Sequence, residues 1–214
     1  MKPNQKAYKH QDTNIIISTP GLHSNPGFKV SKDLIRIVIF IDGSNVYHNL
    51  KKIFKNTKKL SDFNFGKFSK YLAGNYKLIK TYYYNSSLIK KKNPKKYAKQ
   101  QRFFEKLRKT ENFEVILGRM QKQIVDGKIV YVVKEDDIHL AVNMVKLAYK
   151  NIYDKAILIS SDGDFVPAIK AVKETGKKIE NIGFETKFSY HLKQECDNFK
   201  LLTKEILNQF FDEE

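Results

Sequence analysis

Ile35-Arg36-Ile37-Val38-Ile39-Phe40-Ile41 carries one charge among six large apolar residues, five of them β-branched. A sheet with one wet face alternates apolar and polar residues. A run this continuous belongs to a central strand covered on both sides. Helices must therefore lie on both faces of the sheet, and the rest of the chain supplies candidates. β-rich runs at residues 78–84, 114–117, 156–160 and 178–182 alternate with helix-period segments at 44–54, 65–73, 94–109, 138–149 and 165–175. This alternation predicts βαβ units and an α/β fold with a mainly parallel, doubly wound sheet. Gly176 is placed to stop the helix before the 178–182 strand. Asp126-Gly127, between two β-rich triplets, signals a small antiparallel hairpin.

Residues 1–33 hold three of the five prolines and one short apolar run, Ile15 to Ile17. They read as a flexible N-terminal arm whose isoleucines dock on a sheet edge, with residues 34–214 as the main domain. No apolar stretch reaches the ~20 residues of a membrane span, and the first eight residues lack the apolar core of a secretory signal. A single cysteine, Cys196, rules out an intramolecular disulfide framework and reads as a small buried residue in a helical segment. A cytoplasmic protein with no membrane partner is expected, and a homo-oligomer is compatible with the chain.

The candidate chemistry lies in acids at strand ends. Asp42 follows Ile41, and Asp162 and Asp164 follow the 156–160 run, so each stands where a buried strand gives way to a helix. Parallel strands share one carboxyl edge, and α/β folds bind ligands there, where the strand order reverses. If the first strand and the 156–160 strand are neighbours across that reversal, these carboxylates converge. One member of Glu135-Asp136-Asp137 should join them from the start of the 138–149 helix. Two carboxylates about 4 Å apart repel by roughly 4 kcal/mol at an effective dielectric of about 20, so such a cluster calls for a cation. Oxygen ligands select Mg²⁺ or Mn²⁺ over zinc, and such a site suits phosphate chemistry. Each acid taken alone also reads as a turn residue or a helix cap.

The pattern resembles the NYN-domain family of PIN-like metal-dependent ribonucleases. The resemblance rests on Phe40-Ile41-Asp42-Gly43-Ser44-Asn45, Lys134-Glu135-Asp136-Asp137-Ile138-His139-Leu140-Ala141 and Ser160-Ser161-Asp162-Gly163-Asp164-Phe165-Val166-Pro167. A weaker echo runs from Gly176 to Phe199, and together these cover about residues 36–211. The resemblance implies a three-layer α/β/α Rossmann-like fold and a metal site of Asp42, Asp137, Asp162 and Asp164. Asn45 would steady the first aspartate or the scissile phosphate. Asn143 stands where the family often has another Asp, which removes a negative charge, and Ser161 replaces a common Gly. Asn143 and Ser160 are the accessory candidates.

The charge balance, 40 Lys+Arg against 23 Asp+Glu, gives a net +17 and points to a polyanionic partner. Only Arg36, Arg102, Arg108 and Arg119 are arginines, so backbone contact is favoured over base reading. Lys90, Lys91 and Lys92 lead into a helix on which Lys95, Lys99, Arg102 and Lys106 share one face. They form a candidate RNA-binding ridge, or else a solvated lysine face. Tyr82, Tyr83, Tyr84 and Tyr97 are candidates for stacking on unpaired bases, although one or two of the first three belong in the core. The sequence thus favours a Mg²⁺- or Mn²⁺-dependent ribonuclease acting on single-stranded or looped RNA. The alternatives are a non-catalytic RNA-binding module and an aspartate-nucleophile phosphatase. The last is disfavoured by Ser44, which stands where a second acid is expected.

Overall fold

The structure, a computed structural model, describes residues 34–212 except 56, 126 and 127, and only the backbone at 120, 121, 123, 125 and 128–134. The expected arm at 1–33 and the Asp126-Gly127 turn lie outside the described residues. Seven strands form one sheet: β1 (Arg36–Asp42), β2 (Lys77–Ser86), β3 (Phe113–Val125), β4 (Lys128–Lys134), β5 (Lys155–Ile159), β6 (Lys178–Phe184) and β7 (Asn198–Leu202). Their order is β4-β3-β2-β1-β5-β6-β7. All neighbours pair in parallel except β3 and β4, which are antiparallel. The chain runs outward through β2 and β3, then returns to the other side of β1 with β5. The reversal therefore falls between β1 and β5.

Strand β1 explains the layering. Ile37, Ile39 and Ile41 face one way, packed with α1 (Gly43–Ile53), α2 (Phe65–Ala73), α3 (Pro94–Arg108) and α7 (Lys204–Asn208). Val38 and Phe40 face the other, against α4 (Asp136–Tyr149), α5 (Val166–Glu174) and α6 (Tyr190–Glu195). Residues 37 to 41 of β1 have no solvent exposure, as a strand covered on both sides requires. The three-layer α/β/α arrangement follows from that one strand.

One sequence expectation changes, and the expectation that one or two of the strand tyrosines belong in the core holds. The segment around Cys196 is not a continuous helix: α6 ends at Glu195, Cys196 is its C-cap, and β7 begins at Asn198. The thiol is nonetheless buried, and burial pushes it up to about 12. Tyr83 and Tyr84 are buried at 0% and 2% exposure and cannot stack on bases; Tyr82 and Tyr97 are partly buried. Gly176 follows α5 with φ 77°, the left-handed stop anticipated for it.

Candidate nuclease site

Asp42 is the last residue of β1 and also the N-cap of α1. Its Oδ1 accepts from the Asn45 backbone N–H at 2.9 Å, and its Oδ2 accepts from Ser160 Oγ at 2.9 Å. Both bonds favour the carboxylate, but the residue is only 7% exposed. Burial, reinforced by the charges of Asp136 and Asp162, raises its pKa above the usual carboxylate range.

Ser160, fully buried at the end of β5, ties two acidic corners together. Its hydroxyl donates to Asp42 and accepts from the Asp162 backbone N–H at 3.1 Å. Behind it, Asn181 on β6 donates through Nδ2 to the carbonyls of Leu158 and Ser160, at 3.1 and 3.0 Å. Asp162 then caps the 3-10 turn Gly163–Phe165, accepting from the Asp164 N–H at 3.0 Å. The capping reading and the clustering reading of these acids are both true: the cap bonds hold the carboxylates at the edge.

Glu135, at the start of α4, has φ 83°, a conformation uncommon for a residue with a side chain. Its carboxylate does not cap the helix but accepts from Arg119 Nη2 at 2.8 Å. After this turn Asp136 and Asp137 both reach the same pocket as Asp42 and Asp162, a cavity of about 470 Å³. Ser86, at the end of β2, donates to Asp136 at 3.4 Å. Partial burial, then the charges of Asp42, Asp136, Asp162 and Asp164, push the Asp137 carboxyl up to about 6. Asp137 keeps much of its surface in solvent, so the crowding of like charge is the firmer of the two causes.

The rest of the lining is polar and cationic. Ser44, Asn45, His48, Asn49 and Lys52 face the pocket from α1, and Lys187 joins from the loop after β6. Asn49 is 5% exposed; its Nδ2 donates to Asn45 Oδ1 at 2.9 Å, and its Oδ1 accepts from Thr186 Oγ1 at 3.1 Å. Asn45 Oδ1 accepts that bond, and its side-chain amide nitrogen has no partner among the described residues. Lys187 is held at the rim because residues 184 and 187 bond to each other across a tight turn, while Ser161 Oγ donates to the Lys187 carbonyl at 2.8 Å. Lys52, Lys187, His48 and Asn49 were not anticipated from the sequence, and neither was Asp136 as a pocket residue distinct from Asp137.

Of the sequence candidates, Asp42, Asn45, Asp137 and Asp162 line one pocket. Asp164 does not line it, yet its charge reaches Asp137. Asn143 does not line it either, because its Nδ2 donates to Tyr84 Oη at 2.7 Å, beneath α4. Among the described residues no three Asp, Glu, His or Cys side chains converge closely enough to enclose a metal ion. Lys90, Lys91, Lys92, Lys95, Lys99 and Arg102 are exposed. Their loop leaves from Ser86 at the acidic edge, where Gln100 pins it by donating to the Ser86 carbonyl and accepting from the Leu88 N–H. Lys106 lies about 16 Å further along α3 than Lys95 at 1.5 Å per residue. It donates to the Ser61 carbonyl and pairs with Asp212 at 3.5 Å, so it is committed to the protein itself.

The family description for the NYN domain matches residues 36–203, which is most of the chain. The chain belongs to the NYN domain family. Membership carries a nuclease-like fold of the PIN type, and the three acidic segments of this NYN domain all fall inside the matched span. An uncharacterized protein of Methanocaldococcus jannaschii is 38% identical over 61 residues, or 28% of this chain; the match spans only a quarter (25%) of that relative's length. A solved structure, a protein of unknown function from Vibrio parahaemolyticus, superposes with a TM-score of 0.62 at 23% identity. It covers 81% of this NYN domain's chain and 96% of its own, a likeness of fold. No helix among the described residues is long and apolar enough to cross a membrane.

Proposed function

We propose that this NYN domain is a Mg²⁺- or Mn²⁺-dependent endoribonuclease acting on single-stranded or looped RNA. The observation that carries the reading is one pocket at the reversal of strand order, lined by Asp42, Asp136, Asp137 and Asp162 together with Asn45, Lys52 and Lys187. A phosphodiester suits such a mixed lining: the lysines and the Asn45 amide would take some of its oxygens, and a cation held by the carboxylates would take the others. The donor set fits a divalent ion by charge and chemistry. All candidate ligands are oxygens, and burial and the neighbouring acids disfavour the charge on Asp137, which a cation would relieve. Mg²⁺ keeps several of its waters and needs only one or two carboxylates directly, so three converging side chains are not required in advance.

Asp42, Asp137 and Asp162 would hold the ion, with Asp136 and Asp164 adding charge around it. When bound, it supplies neutralisation of phosphate charge and a water of lowered pKa. The chain's own residues do the rest. Asn45 donates to a non-bridging oxygen, Lys52 and Lys187 hold the strand, and Ser160 fixes Asp42 against the Asp162 turn. The test is a cleavage assay on single-stranded RNA with Mg²⁺, Mn²⁺ or EDTA: cleavage in either metal and none in EDTA is expected, and cleavage unchanged in EDTA contradicts the reading.

Two further outcomes follow. Ser160→Ala leaves Asp42 Oδ2 and the Asp162 N–H without their partner in a buried site. It should cost about 1–3 kcal/mol of stability and lower cleavage about 10–100-fold, read by thermal unfolding and initial rates; full activity would remove its positioning role. The pH dependence has a definite sign. Without metal, the raised Asp137 pKa makes the folded state bind more protons than the unfolded state between about pH 4 and about 6, so this group's contribution to stability falls as pH rises through that window. A bound cation needs the same carboxylate deprotonated. The rise in melting temperature caused by Mn²⁺ should therefore shrink as pH drops below about 6, and an equal rise at about pH 5 and pH 8 would contradict Asp137 as a ligand.

Asn143, which stands where the family often has an acid and is bonded to Tyr84 Oη outside the pocket, favours a second reading, an RNA-binding module without catalysis. Under that reading RNA affinity persists in EDTA while cleavage is undetectable in every metal.

A further inference from the structure

Helix α1 has two working faces, and only one borders the acidic pocket. The other, with Tyr47, Leu50 and Lys51, opens onto a second cavity of about 270 Å³ closed by Lys58, Lys59, Leu60 and Phe211. Its floor is apolar: Leu50 and Phe211 are 4% and 7% exposed, and Phe211 is fixed edge-on against Phe54 and Phe63 at 4.9 and 5.2 Å. Its rim is cationic. Lys51, Lys58 and Lys59 are exposed and have no carboxylate partner among the described residues, and Lys58 Nζ sits 5.5 Å from the Phe211 ring centroid. Tyr47 is 42% exposed at the mouth. Its ring packs T-shaped against that of His48 with centroids 5.3 Å apart, and His48 lines the acidic pocket, so the two cavities adjoin across one aromatic pair.

We propose that this second cavity is a subsite for single-stranded RNA leaving the acidic pocket, with Tyr47 stacking on a base and Lys51, Lys58 and Lys59 holding the phosphates next to it. The chemistry is that of single-strand binding: an aromatic face for a base beside cations for the backbone, without hydrogen-bond readout of sequence. A flat membrane surface would leave the concavity unfilled. An acidic peptide would use the lysines but not the continuity through Tyr47 and His48. The subsite deepens the ribonuclease reading and rests on it for the identity of the polymer. It also moves the main RNA path away from the α3 lysines, of which Lys106 is already engaged with Asp212.

Binding is measured with the full chain in EDTA, so that cleavage plays no part, by fluorescence anisotropy of labelled single-stranded RNAs of about 4 and about 12 nucleotides. The longer RNA should bind more tightly than the shorter one. Combined Lys51→Ala, Lys58→Ala and Lys59→Ala should weaken the longer RNA about tenfold or more. It should also reduce the slope of log K against log salt by about 2, at roughly 0.7 for each phosphate no longer neutralised. Tyr47→Ala should weaken the longer RNA about fivefold or more, with Tyr47→Phe restoring it. The proposal is overturned by equal affinity of the triple variant and wild type for the longer RNA, by equal affinity of Tyr47→Ala and wild type for it, or by a wild type that does not distinguish the lengths. An absence of metal-dependent cleavage alongside the expected binding pattern would instead count against the ribonuclease reading alone.

Discussion

Asp42→Asn should lower metal-dependent RNA cleavage by at least about 100-fold while the protein stays folded and as stable, or slightly more stable, without metal. Altering residues one step removed from a metal already costs about 10–100-fold, and a ligand should cost no less. The stability half of the expectation has the opposite sign from most buried substitutions. Asp42 is 7% exposed, and burial together with Asp136 and Asp162 disfavours its charge in the folded state. Asn has nearly the same shape and a carbonyl oxygen that still accepts from either Asn45 N–H or Ser160 Oγ, and it removes that charge. Cleavage rates and thermal unfolding with and without Mn²⁺ read both halves: wild type gains stability from Mn²⁺, and Asp42→Asn gains little. A variant that cleaves at the wild-type rate, or that unfolds, contradicts the role assigned to Asp42.

Gly43→Ala should damage stability and activity together. A Cβ at Gly43 would stand 2.3 Å from Tyr83 Cζ and 2.6 Å from its hydroxyl oxygen. The Tyr83 ring has no exposure and is wedged against Phe65 and Phe103 at 5.3 and 5.9 Å, so it cannot swing aside. The start of α1 must shift instead, and it carries the Asn45 N–H that holds Asp42. Overpacking of this kind costs about 1–3 kcal/mol. In a domain of this size that lowers the melting temperature by about 2–4 °C per kcal/mol. Cleavage should fall by more than the loss of folded protein explains. Tyr83→Phe in the Gly43→Ala background keeps the ring carbons that clash and should not rescue; Tyr83→Leu should recover part of the loss. A Gly43→Ala protein with wild-type stability would show that α1 does not depend on this close approach.

Gly43 also shows where the sequence stops being legible. Along the chain, Asp42-Gly43 looks like a turn, in which a glycine serves backbone freedom. Its conformation is ordinary, and its reason is a tyrosine forty residues later on the neighbouring strand. The layering was readable because β1 leaves no alternative: seven residues without a wet face need cover on both sides. The convergence of Asp42 and Asp162 was readable because strand ends in a parallel sheet share an edge. Strand β7 was not, because its five residues are half exposed at the sheet edge and lack the continuous apolar run that marks a buried strand. Asp136 could not be separated from Asp137 because their directions depend on the left-handed turn at Glu135, and nothing in Lys134-Glu135-Asp136 announces a positive φ. Lys187 is a pocket residue only because residues 184–187 fold back on themselves, and Lys52 only because α1 turns that face to the edge. Asn143, a natural candidate by position, is diverted by the Tyr84 hydroxyl, a partner found only once β2 and α4 are packed together.

The central claim is that the aspartates at the ends of β1 and β5 and at the start of α4 act on one divalent ion. Anomalous scattering from a crystal grown or soaked with Mn²⁺ tests it most directly. The account predicts one strong peak within ligand distance, about 2.0–2.6 Å, of carboxylate oxygens from at least two of Asp42, Asp137 and Asp162. A Mn²⁺-saturated crystal with no peak in that pocket, or with those carboxylates turned onto Lys52 and Lys187 instead, would contradict it.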